Sequence, residues 1–194
     1  MKAYRKEIIN NAVSYIAQKY YESRNRYITQ TLLFKILVLL DFRCLRQNGR
    51  PCFEFSYSAR KLGPVPEELY HGDLSLYDSF RTKDKKYKDR NNNEKKTTYY
   101  VSTKEPDMDY FSPSEKKILD DLLRDVINNN IDGSQASEIT HKEIRAWKIA
   151  YDAKPNSQMN YADEFMGLAE KKEDEMTIPE LNFIKYMEFS DVLW

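Results

Sequence analysis

The chain has 194 residues, with 31 basic and 31 acidic side chains, zero net charge and 41% apolar residues. That length suits one domain with a small appendage, and the balanced charge excludes a global field drawing the chain to nucleic acid or a membrane surface. Five Gly and seven Pro among 32% charged residues fit a helical protein better than a sandwich or barrel, and two cysteines make neither a disulfide framework nor a zinc site.

From Tyr4 to Tyr21, apolar residues at Ile8, Ile9, Ala12, Val13, Ile16, Ala17 and Tyr20 predict a helix with one buried stripe. Lys2, Arg5, Lys6 and Glu7 break any apolar run there, so no signal peptide is expected. Thr31 to Gln47 is apolar on every face, which predicts a buried central helix, with Thr29 or Thr31 as its cap and Asn48-Gly49 as its stop. Its run Ile36–Leu40, bounded by Lys35 and Asp41, is too short to span a membrane, and a soluble protein of a reducing cytoplasm is expected. Cys44, on that helix, reads as a small hydrophobe.

Phe53 to Ser58 alternates apolar and polar residues and predicts a short strand. Gly63-Pro64-Val65-Pro66 then forms a rigid corner, with Pro66, Glu67 and Glu68 opening a helix that Gly72 limits. Arg81–Lys96 carries eight basic and three acidic residues, a local net of +5 (8 − 3), and reads as a loop with almost nothing to bury. Thr97–Thr103 is rich in β-formers and is expected to pair with Phe53–Ser58 as a two-stranded ribbon.

Ser112-Pro113-Ser114-Glu115 predicts a helix running to Ile127, ended by Asn128–Gly133. Ser134 opens a further helical stretch holding Ile139, Thr140 and His141 and followed by Trp147, and Pro155-Asn156 marks a boundary. Beyond it the sequence predicts an acidic amphipathic helix around Tyr161–Glu170. A last helix follows from near Pro179, burying Leu181, Ile184, Met187 and Phe189. The expected fold is mainly α: a compact helical domain around a central buried helix (residues 1–155), a small two-stranded β-ribbon, and a C-terminal helical extension (156–194) packed on the domain.

Nothing in the sequence marks catalysis. There is no GxSxG, HExxH, GxGxxG or phosphate loop, and Glu67-Glu68, Asp120-Asp121 and Asp107/Asp109 read as solvated carboxylates that do not converge. No enzyme activity, cofactor or metal is expected. His141 lacks an oriented partner in sequence; the plainer reading has it joining two helices while Trp147 packs, the sharper one a polar contact on a binding face. The Gly63–Pro66 corner would offer a stiff, partly apolar ridge that loses little entropy on binding. The basic stretch, with Tyr87, offers an alternative reading as a nucleic-acid-binding regulator; zero net charge and the interspersed Asp84, Asp89 and Glu94 weigh against it. The tail from Ala162 to Glu180 carries seven acidic and two basic residues, a net of −5 (2 − 7).

Ala59, Gly63, Pro64, Val65 and Tyr70 fall into the spacing A-x-x-x-G-P-V-x-x-x-x-Y, and Lys35-Ile36-Leu37 fits a preceding K-[IL]-L helix. Ser112–Glu115, then Thr140-His141 and Trp147, fit a later Ser/Pro-x-Glu helix start and a T-H…W pair. In these residues, over about Ala12 to Tyr151, the chain resembles the Panacea domain, also called SocA-like. Two departures stand out: Arg60 replaces the aromatic usual beside the Ala, and His141 and Trp147 stand one residue further apart. The resemblance implies a mainly helical domain of bacteria and phages that acts as the antitoxin of a two-gene system. Such a protein binds a toxin encoded by a neighbouring gene, and in some members presents it to an ATP-dependent protease. It thus implies a non-enzymatic protein-binding role, with Lys61, Gly63, Pro64, Val65, Tyr70, His141 and Trp147 as the expected partner-binding residues.

Overall fold

Helix α2 (Gln30–Asn48) runs through the middle of the computed structural model, which describes residues 4–89 and 91–192. Thr29 caps it, its hydroxyl accepting from the Leu32 amide at 3.4 Å, and Gly49 closes it in the left-handed region at φ 78°. Between these ends Leu33, Ile36, Leu37, Val38, Leu40 and Phe42 are fully enclosed. A helix without a polar face needs cover on all sides. Helices α1 (Arg5–Arg24), α4 (Pro113–Asn128), α5 (Gly133–Glu143) and α7 (Ile178–Val192) all pack against it. From α1 come Ile9, Ala12, Val13 and Ile16, and from α4 come Leu119, Leu122, Leu123 and Val126. The start of α4 is the expected capping box, the Glu115 carboxylate accepting from the Ser112 amide at 2.8 Å. Asp132, rather than Ser134, caps α5. A break at Ile144 leads into α6 (Arg145–Ala153).

Two small antiparallel sheets complete the structure. Strand β2 (Tyr57–Arg60) pairs with β3 (Gly63–Pro66) across the turn Lys61-Leu62, and β3 feeds the single-turn helix α3 (Glu67–Tyr70). In the second sheet β5 (Glu94–Ser102) lies between β1 (Ile28–Thr29) and β4 (Phe80–Lys88), with Tyr100 opposite both Ile28 and Thr82.

These pairings correct the sequence reading twice. Arg81–Lys96, expected as a loop, forms most of a β4–β5 hairpin, although Arg90 lies outside the described residues. Every residue from Arg81 to Lys88 is exposed, so no apolar alternation betrays the strand. Thr97–Thr103 does not pair with Phe53–Ser58: β5 takes the segment just before it, a connection with far less loop-closure entropy, and β2 takes β3. The tail differs as well. Tyr161–Glu164, Leu168–Glu170 and Glu173–Glu175 are separate 3₁₀ turns rather than one helix. Helix α7 begins as expected but buries Phe183, leaving Met187 and Phe189 exposed. A side chain at Gly49 would sit 2.3 Å from the Pro179 carbonyl oxygen and 2.8 Å from the Phe183 amide, so that glycine also lets α7 close onto the end of α2. Among the described residues no helix is long and apolar enough to cross a membrane.

The polar centre of the core is Asp41, fully enclosed on α2. It accepts from the Phe53 amide at 2.6 Å, the Tyr57 hydroxyl at 3.0 Å and the Tyr161 hydroxyl at 2.8 Å, tying the chain after α2 and the C-terminal segment to one carboxyl. Burial raises its pKa to about 6 despite these donors. Tyr161 also lies 2.9 Å from the Phe55 carbonyl and has one hydrogen to give, so a proton on Asp41 satisfies both contacts. A carboxyl whose pKa is higher in the folded than in the unfolded state stabilises the fold at low pH and loses that contribution as pH rises, here between about 4 and 6. Denaturant unfolding should therefore show wild type gaining on Asp41→Asn as pH falls from 7 to 4, by on the order of 2 kcal/mol; a constant difference across that range would exclude a shared proton at Asp41.

Candidate functional site

The densest meeting of the residues singled out by sequence lies where β3 crosses the ends of α2 and α5. Gly63 has φ 91°, a left-handed conformation that other residues resist. A Cβ there would stand 2.7 Å from Thr140 Oγ1, 3.0 Å from Lys35 Nζ and 3.3 Å from His141 Nε2. Only glycine lets the strand lie this close. Pro64 follows, and its carbonyl accepts from Lys35 Nζ at 2.7 Å. Lys35 is the single charged residue between Thr31 and Leu40 and is 2% exposed. Burial brings its pKa down to about 7.

His141 and Trp147 come together across the break between α5 and α6. Their rings stack with centroids 4.0 Å apart and planes 9° apart, and Trp147 stacks in turn on Tyr151 at 5.1 Å. Trp147 Nε1 donates to the Arg60 carbonyl at 3.0 Å, fixing the indole to the end of β2. His141 Nε2 is buried with no hydrogen-bond partner. Burial, then the neighbouring Lys35 charge, hold its pKa below the ordinary value and favour the neutral ring. The stacked pair packs against the ends of β2 and β3, through the Trp147 hydrogen bond to Arg60 and the close approach of His141 to Gly63.

Above this buried layer lies an exposed rim. The β2–β3 turn carries Lys61 and Leu62, the latter 66% exposed, and Tyr70 is 44% exposed at the end of α3. Arg60, in the place where the resemblance expects an aromatic, lies over the Tyr70 ring at 4.2 Å and pairs with Glu67 at 3.2 Å. Between turn and helix runs a groove of about 420 Å³ lined by Phe34, Lys35, Arg60, Leu62, Val65 and Tyr70.

The seven expected residues thus fall in two layers. Gly63, Pro64 and Trp147 are buried with the partly covered His141, Val65 is half-covered in the groove wall, and Lys61 and Tyr70 face solvent. The Gly-Pro segment is not itself the exposed ridge its stiffness suggested; it is the buried support for the Lys61-Leu62 knuckle. Four contributors stand outside the expected partner-binding set: Lys35, Arg60 and Thr140, which the sequence marked only as motif positions, and Leu62, which it did not mark. Lys35 carried a legible signal, because a lone cation in an otherwise apolar helix needs a dedicated acceptor.

A family model described as "Antitoxin SocA-like, Panacea domain" matches residues 33–148, which run from within α2 to the first turn of α6. The match covers more than half of the chain, and the chain belongs to this family. It includes Arg60, Lys61, Leu62, Val65 and Tyr70 of the groove and the His141–Trp147 stack, and leaves outside α1, β1, the start of α2 and everything after Lys148. No curated protein and no solved structure matches the chain.

Two measurements test the buried layer. Gly63→Ala should lower unfolding free energy by about 2 kcal/mol or more, from left-handed strain plus the clash with Thr140; a neutral effect would mean that β3 does not lie where described. For Lys35, a base whose pKa is lower when folded, the unfolded chain alone holds the proton between about pH 7 and 10.5, so stability rises with pH across that window. Lys35→Met should flatten that rise, being more stable than wild type at pH 6 and losing the advantage by pH 10; parallel pH profiles would show that the amine is not desolvated.

Proposed function

We propose that this Panacea-domain protein is an antitoxin of a bacterial or phage toxin–antitoxin system, acting in the cytoplasm by binding its toxin directly rather than by catalysis. The observation that carries the reading is the exposed knuckle inside the family-matched segment. Leu62 projects from a two-residue turn whose two strands are anchored by the Trp147–Arg60 and Lys35–Pro64 hydrogen bonds. An apolar side chain held on a stiff support, beside the Arg60–Tyr70 pair and Lys61, binds with little loss of conformational entropy. Leu62 and Tyr70 would enter an apolar pocket on the toxin, and Lys61 and Arg60 would meet carboxylates at its edge. Gly63, Pro64, His141 and Trp147 would act through the position of that knuckle rather than by contact.

Neutralisation can end in occlusion of the toxin or in its delivery to an ATP-dependent protease, and the two differ in toxin abundance. Under occlusion the toxin persists in a complex; under delivery its level rises when this chain is deleted. The direct test starts from the adjacent gene. Its product should arrest growth when expressed alone, and co-expression of this chain should restore growth. Leu62→Asp combined with Lys61→Glu should abolish the rescue while leaving circular dichroism and Tm unchanged, since both positions are exposed. Full rescue by that variant would move the contact off the groove rim, and a harmless neighbour would remove the antitoxin reading.

A further inference from the structure

The β4–β5 hairpin sorts its charges by face in a way the linear sequence conceals. Side chains alternate along a strand, and the register sets Arg81 opposite Val101, Lys83 opposite Tyr99, Lys85 opposite Thr97 and Tyr87 opposite Lys95. Phe80 and Tyr100, of the other parity, are buried, so that set turns toward the body at its base and this one turns away. The outward set holds four cations and two tyrosines and no carboxylate. All three acids of the stretch are accounted for elsewhere. Asp84, on the opposite face, pairs with Lys96 at 3.1 Å and accepts from Thr98 at 2.8 Å. Glu94 shares that opposite face with Lys88. Asp89 lies in the turn, where one oxygen accepts from the Asn91 and Asn93 amides, both at 2.9 Å.

Aromatic rings run the length of this outward face. Tyr87, 48% exposed, stands near the tip. Tyr99 lies about 13 Å further down, four residues along β5 from the position that faces Tyr87. At the base Lys83 Nζ sits 4.6 Å over the Tyr27 ring, and Tyr27 stacks on Tyr21 at 5.1 Å. The face then opens into a cleft of about 460 Å³ between α1 and β5, lined by Gln18, Tyr21, Tyr27, Lys104 and two carboxylates, Glu105 and Glu22, the latter paired with Lys19 at 2.9 Å. Gln18 Oε1 is buried there without a hydrogen-bond partner, while its Nε2 donates to Glu105 at 3.0 Å.

We propose that the outward face of this hairpin, together with the Tyr21–Tyr27 cleft at its base, binds single-stranded nucleic acid. Cations along a strand neutralise a phosphate backbone, and rings between them stack on bases whatever their identity. The cleft would take one base against the Tyr21 and Tyr27 rings. In a duplex the base faces are already stacked and the tyrosines would have no role. An acidic peptide would use the cations but not the rings. The binding is independent of the antitoxin reading, because the face shares no residue with the groove rim.

Fluorescence anisotropy of the full chain with a labelled mixed-sequence single-stranded oligonucleotide tests this, with the matching duplex and poly-glutamate as competitors. The four cations predict a slope of log affinity against log salt of about −3. Arg81→Gln/Lys83→Gln/Lys85→Gln should reduce that slope by about 2, whereas Lys86→Gln/Lys88→Gln, on the opposite face, should leave it nearly unchanged. Tyr87→Ala, an exposed position that does not endanger the fold, should weaken binding at least about 5-fold. Absence of salt-dependent binding overturns the proposal, as does a duplex that competes better than the single strand. Poly-glutamate competing equally, with Tyr87→Ala without effect, overturns it too and makes the face a site for acidic peptides.

Discussion

A helix that is apolar on every face must be enclosed, and any polar group it carries must be satisfied inside the enclosure. That constraint on α2 organises the rest of the molecule. Its two buried charged side chains, Lys35 and Asp41, lie on different faces and recruit different segments. Lys35 holds the Pro64 carbonyl and so brings β3 down onto α2. Asp41 gathers the Phe53 amide with the Tyr57 and Tyr161 hydroxyls, joining the start of β2 to the segment after α6. Neither contact need add much net stability, because burying an ionisable group costs several kcal/mol before its partners offset that loss. What they specify is register: a slip of either strand would leave a buried amine or carboxyl without a partner.

The same logic separates support from surface in the groove. Gly63 is fixed by Thr140, Lys35 and His141 at its back, and Trp147 reaches across to the end of β2. The turn between the two strands then has little freedom, and Lys61 and Leu62 project from a stiff base. Arg60 gives up part of its charge to Glu67 and lies on Tyr70, which makes the rim apolar and weakly cationic rather than strongly charged. Outside the family-matched residues the chain adds its own stays: Arg46 pairs with Glu164, and Glu164 also accepts from the Ala146 amide at the start of α6. The acidic tail is thus partly consumed within the fold, and its net charge overstates what it offers to a partner.

How much of this was legible in the sequence depends on the kind of signal. The helices announced themselves through periodicity and caps: the stripe of α1, the apolar run of α2 with Thr29 and Gly49 at its ends, and the Ser112–Glu115 box of α4. The G-P-V block and the T-H…W pair are far apart in the chain, and the fold brings them together. Strand pairing was not legible, because β4 is solvated on both faces and so carries no apolar period, and because β-rich segments do not name their partners. The two layers of the groove were not legible either. A stiff Gly-Pro segment can be an exposed ridge or a buried support, and only the packing of Lys35 and Thr140 against Gly63 decides for the support.

Charge counted along the chain misled most at the hairpin. In sequence, Asp84, Asp89 and Glu94 dilute the cations; in the sheet, the alternation and the turn remove all three from one face. Net charge is a property of a segment, but a ligand meets a face, and the strand period of two converts an interspersed sequence into a segregated surface. Between the groove rim and the hairpin lies Phe34, whose ring is 6.5 Å from Tyr70 and 6.1 Å from Tyr100, on the inward side of the hairpin. That ring is 3% exposed and belongs both to the core and to the groove wall. The groove rim and the outward hairpin face share no residue, so the two readings of them stand apart.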